Sequence, residues 1–146
     1  MTETTSPPDR RAALGLLARS PAARLNALLP DLPAHEVLRS PEIGTVMVRG
    51  RAGGTGNAFN LGEMTVTRAS VRLSSGEVGH GYVQGRDRGH ALRAALVDAM
   101  GQADPARADA ILAPLRADEA RRRAAIAAEA AATRVDFFTL VRGEDE

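Results

Sequence analysis

The sequence predicts an α+β fold: N-terminal helices, a central antiparallel β-sheet, then C-terminal helices and an extended apolar tail. Three observations point there. Leucine-bearing segments punctuated by proline open the chain, β-branched runs separated by glycine-rich turns fill Ile43 to Gln84, and alanine-rich stretches at helical spacing follow Asp87.

The first helix is expected from about Asp9 to Ala18, with Leu14, Leu16 and Leu17 as its apolar face and Pro8 before it as a start signal. A second is expected to open with Ser20 as N-cap and Pro21 as first helical residue, and to carry Leu25, Leu28 and Leu29. Pro30 and Pro33 end it. A short segment from Ala34 to Arg39 then leads to Ser40-Pro41, where the residue before proline is pushed toward extended geometry.

Ile43 to Arg51 reads as a strand and Gly53 to Asn57 as a turn, with the next strand beginning near Phe59. Met64 and Val66 share one alternation parity, whereas Ala69, Val71 and Leu73 share the other. A bulge or break is therefore expected near Thr67. Ser74 to Glu77 signals a turn, and Val78 to Gln84 alternates as a further strand would, so short links favour an antiparallel meander.

Asp87 is a plausible N-cap for a helix from about Gly89 to Gln102, whose stripe of Leu92, Ala95, Leu96, Ala99 and Met100 should lie on the sheet. Asp104-Pro105 starts the last helical stretch, running to about Arg134, with Pro114 expected to kink or split it. Val135 to Arg142 contains Val135, Phe137, Phe138, Leu140 and Val141, and is expected either to add a strand or to dock on a partner.

The length of 146 residues suits one domain with one core, residues 1–8 being expected to be flexible. No apolar run approaches a membrane span, and the polar start from Met1 to Arg11 resembles no signal or transit peptide. A cytoplasmic protein without membrane partners is expected. Cysteine is absent, which removes thiolate metal sites, iron-sulfur ligation and a cysteine nucleophile from this chain's own chemistry. The net charge is +1, and one Tyr, three Phe and no Trp leave few surfaces for base stacking, so nucleic acid is not an expected partner.

Gly53-Gly54-Thr55-Gly56, flanked by Arg49 and Arg51, has the composition of a phosphate cradle, since glycine lets amides approach an anion and arginine binds phosphate bidentately. A P-loop would continue into a helix and carry a lysine, whereas here a strand follows. A plain hairpin turn is favoured, with Arg49, Arg51, Gly53, Gly54 and Gly56 kept as candidate phosphate-binding residues. Arg68, Arg72, Arg86 and Arg88 extend the cationic supply, with exposed ion pairs the simpler reading. His80 and His90 lack metal-ligand spacing, and His90 is expected to fix a strand-to-helix corner by hydrogen bonds. Arg121 to Arg123 read as a solvated helix face beside Asp118, Glu119 and Glu129. No nucleophile elbow or carboxylate dyad can be picked out.

The stretch from Pro41 to Arg51, followed by Gly53 to Gly56 and Phe59 to Glu63, strongly resembles the PhnG family of the bacterial carbon-phosphorus lyase. Thr65 to Arg68, Val71 to Leu73, Tyr82 to Asp87 with His90-Ala91, and the closing Val135 to Gly143 agree with it. The resemblance implies a subunit of a core assembly built with PhnH, PhnI and PhnJ for growth on alkylphosphonates. In that family PhnI, with PhnG and PhnH, takes part in displacing adenine from ATP by methylphosphonate to give ribose 1-methylphosphonate 5-triphosphate. PhnJ later cleaves the carbon-phosphorus bond by radical chemistry at an iron-sulfur cluster. It implies no catalytic residue, metal or cofactor for this chain. Its expected work is to shape and stabilise the PhnI-containing core, with a direct contribution of the Arg/Gly turn to triphosphate binding as the alternative.

Overall fold

The computed structural model describes residues 7–135, and the expectations for the first six residues and for the apolar tail after Val135 lie outside that range. Four helices and three strands follow one another as α1 (Pro7–Arg19), α2 (Ala22–Leu28), β1 (His35–Arg51), β2 (Ala58–Leu73), β3 (Val78–Gln84), α3 (Arg88–Ala103) and α4 (Pro105–Ala132). The strands form an antiparallel meander in the order β1-β2-β3, as the short links require.

Ser20 does not cap α2. Its hydroxyl donates back to the Leu16 carbonyl at 2.6 Å and so closes α1, while extended Pro21 occupies the boundary. Asp87 and Asp104 do cap, accepting from the amides of His90 and Arg107 at 2.9 and 3.2 Å. Each satisfies one of the donors that a helix start leaves without an intrahelical acceptor.

Strand β1 begins at His35, eight residues before the expected Ile43, because Ser40-Pro41 does not break it. Between Val37 and Glu42 the register against β2 slips twice, with extra residues on β1, and an edge strand accommodates proline at such a bulge. Nor is β2 interrupted at Thr67. Its extra residue is Leu61, between the pairs Val48–Gly62 and Arg49–Asn60. The two apolar parities persist because both faces bury side chains: Thr67, Ala69, Val71 and Leu73 face the helices, while Val66 is buried outside the main cluster.

The core forms around α3. Sheet residues Ala69, Val71, Leu73 and Val83 cover one side, and Leu16, Leu17, Leu25, Leu29, Ile111, Leu112 and Leu115 cover the other. The helix is consequently buried well beyond its expected stripe, from Ala94 through Met100. Glycine sets the sheet–helix spacing: a Cβ on Gly79 would lie 1.9 Å from the Ala95 carbonyl oxygen, and one on Gly81 2.1 Å from that of Ala91. Pro114 does not split α4, since Ile111, Leu112 and Leu115 on either side of it are anchored in the core.

Strand β3 pairs with β2 only from Val66 to Arg72. Beyond Val66, β1 and β2 run on as a two-stranded arm to Arg51 and Ala58.

Candidate functional site

The phosphate-cradle candidates sit at the tip of this arm. Ala52 to Gly54 makes one 3₁₀ turn joining β1 to β2, and Gly53 and Gly54 take positive φ of 61° and 77°. A Cβ at either would meet nothing within 4 Å, so conformation rather than close approach calls for glycine there. Gly56 spends its amide on the Ala52 carbonyl, at 3.0 Å. The segment is a hairpin connection.

Arg49 and Arg51 project from alternate positions of β1 and therefore share a face, the one that carries α3 further along the sheet. Both are exposed, and no carboxylate pairs with either among the described residues. The arm also exposes Met47 (55%), Phe59 (46%) and Leu61 (61%). Leu61 lies over Gly50, where a Cβ would come within 2.7 Å of its methyl group.

Other arginines of the sheet are neutralised locally. Arg68 and Arg39 reach Glu42 at 3.5 and 3.7 Å, and Arg72 reaches Glu36 at 3.5 Å. These lie on the face away from the helices, where Ser70 and His80 also meet, Oγ to Nδ1 2.8 Å, beside exposed Tyr82. The Arg121–Arg123 run is likewise solvated and paired, Arg121 with Asp118, and Arg122 and Arg123 with Glu119.

His90 is buried and its Nε2 lies 2.9 Å from the Leu17 carbonyl, tying the start of α3 to α1. That fits its expected corner role, although the bond reaches a helix far away in sequence. Among the described residues no three His, Asp or Glu side chains gather in a way that would hold a metal ion. No described helix is long and apolar enough to cross a membrane.

Sequence reasoning did not single out Asp98 and Arg10. Arg10 donates from Nε and Nη2 to the two carboxylate oxygens of Asp98, both at 3.0 Å, and Asp98 also accepts the His80 amide at 2.9 Å. Donation to Asp98, then the charge of that carboxylate, holds the guanidinium of Arg10 above its ordinary pKa. The signal was an acid inside the apolar run from Leu96 to Met100. The pair flanks a groove of about 740 Å³ between α1 and α4 over α3, lined by Leu14, Leu17, Val97, Ala108 and Leu112.

Residues 8–143 match the family model described as phosphonate metabolism protein PhnG. The chain is also 48% identical over 146 aligned residues to the alpha-D-ribose 1-methylphosphonate 5-triphosphate synthase subunit PhnG of Rhizobium meliloti (strain 1021), an alignment covering 94% of this chain and 91% of that protein. With a family-model match running almost from end to end and a relative 48% identical over nearly its whole length, this chain belongs to the PhnG family of phosphonate metabolism proteins.

Proposed function

We propose that this chain is an assembly subunit of the carbon-phosphorus lyase core, working with PhnI, PhnH and PhnJ and chiefly shaping the PhnI-containing part. In that setting the complex joins methylphosphonate to the ribose of ATP, releasing adenine and giving alpha-D-ribose 1-methylphosphonate 5-triphosphate, the compound in the relative's name. The observation that carries this reading is the arm. Its two strands leave the body of the protein with Met47, Phe59 and Leu61 in solvent, and a lone pair of strands is marginal in water. By contrast, the buried polar side chains of the described body find partners internally.

Expression with and without the neighbouring subunits tests the reading. The chain should co-purify with PhnI and should self-associate or aggregate when made alone. A well-behaved solitary chain that turns over ATP with methylphosphonate would overturn it.

A second reading gives the arm tip a direct part in holding the triphosphate. It draws on the unpaired state of Arg49 and Arg51 and on the open glycine turn from Gly53 to Gly56. In the intact complex Arg51→Ala should then raise the nucleotide concentration needed for half-maximal rate. Unchanged kinetics would reject this role.

A further inference from the structure

Sheet edges attract further strands unless something blocks them, and among the described residues this sheet blocks all but one stretch. At the outer edge of β3, Asp98 takes the His80 amide and α1 packs alongside. The first half of β1 carries extra residues between Val37 and Glu42, with Pro41 offering no amide. Where β2 outruns β3, the extra residue Leu61 and Gly62, with φ 156°, interrupt the line. Among the described residues only Ile43–Arg51 remains: nine residues of β1 with no extra residue of its own, roughly 30 Å of edge that no other described strand pairs with.

The charges on that edge choose between possible occupants. The stretch holds Arg49 and Arg51 and no acidic residue, whereas Arg39, Arg68 and Arg72 each have a glutamate within 4 Å. Two copies paired through this edge would give none of the four guanidinium groups a carboxylate, since neither strand supplies one. We propose that a strand of a different protein adds to the Ile43–Arg51 edge, with acidic residues two apart beside Arg49 and Arg51 and an apolar residue beside Met47. This rests on the assembly reading and names its contact. Backbone pairing supplies affinity, and the alternating side chains supply the choice of partner.

Hydrogen exchange on the intact lyase assembly and on the chain alone tests it. Amides of Ile43–Arg51 that point away from β2 should exchange quickly in the chain alone, held dilute enough to be monomeric, and at least about 100-fold more slowly in the assembly. If they exchange alike in both while the chain stays bound, the edge is not the contact, although the assembly reading stands. If the chain never binds the other subunits, the assembly reading itself fails. Protection already present in a dimeric chain alone would assign the edge to a second copy and overturn the proposal. The double variant R49E/R51E should reduce capture of the chain by the other subunits about tenfold or more, with R49K/R51K largely retaining it. Both arginines lie outside the core, so the melting temperature should hardly move. Capture of R49E/R51E at the unmodified level would overturn the acidic-strand proposal. So would capture left intact by Arg51→Ala while the nucleotide requirement rises, which would give the arginines to the triphosphate instead.

Discussion

Asp98 and Arg10 are joined by two parallel hydrogen bonds of 3.0 Å, although the carboxylate is buried to 3% exposure and the guanidinium is about half exposed. Because the same carboxylate accepts the His80 amide, one acid fastens α1, β3 and α3 together. Asp98→Ala removes the acceptor for a strand-edge amide and the partner of a cation, and should cost about 2–3 kcal/mol of stability. Arg10→Ala leaves a buried carboxylate with only the amide and should cost a similar amount, about 2–4 kcal/mol. Asp98→Asn retains an acceptor for His80 and should cost less than either. Urea unfolding of the three variants checks the order; an Arg10→Ala variant as stable as the parent would show that solvent reaches Asp98 easily.

Glycines of the sheet and of the arm tip should answer alanine differently. At Gly79 and Gly81 the obstacle is α3 backbone, which cannot move aside without opening the core, so each alanine should cost about 3 kcal/mol or more. At Gly53 the space is open and only the left-handed backbone is penalised, at about 1 kcal/mol. Gly44 has neither constraint and its alanine variant should unfold like the parent within about 0.5 kcal/mol. Thermal melts of the four single variants test the ranking.

The order of helices and strands was legible wherever local signals agreed with tertiary demand. Asp87 and Asp104-Pro105 started helices as read, because a cap needs only its own next few residues. Ser40-Pro41 was extended as read, but the start of the strand at His35 was missed, because the cost of proline depends on whether its strand is an edge, which is set by a distant pairing. Parity at Met64 and Val66 was read correctly, but its cause was burial on both faces and not a slip at Thr67. For the site, the unpaired state of Arg49 and Arg51 could not be read, since whether an arginine finds a glutamate depends on register, as Arg72 and Glu36 do from neighbouring strands.

Pro114 lies within an unbroken α4 and cannot donate to the carbonyl one turn earlier. The core contacts of Ile111, Leu112 and Leu115 hold the helix across that gap. Pro114→Ala should restore the missing bond and raise stability by about 1–3 kcal/mol, seen as a higher melting temperature with more helical signal. A lower melting temperature would mean that the proline's own packing outweighs the bond.

Glu119 joins α4 to α1 through Arg19 at 3.2 Å, and within α4 it meets Arg123 at 3.0 Å. Desolvation favours its neutral form, but Arg19 and then Arg123 outweigh it and hold the carboxyl below its ordinary pKa. A folded-state pKa lower than the unfolded one means that the unfolded chain binds more protons between the two values, so stability rises with pH across that window. The contribution is complete above the usual glutamate value, about 4.3, and is lost as pH falls through the depressed value. Because Arg19 is 42% exposed, the whole effect should be about 1 kcal/mol or less. Glu119→Gln should therefore melt lower than the parent near neutral pH, and the two curves should converge as the medium becomes strongly acidic. High salt should narrow the neutral gap, since exposed pairs are screened. A gap that stays constant from neutral to acid would assign the stabilisation to packing of the Glu119 stem rather than to its charge.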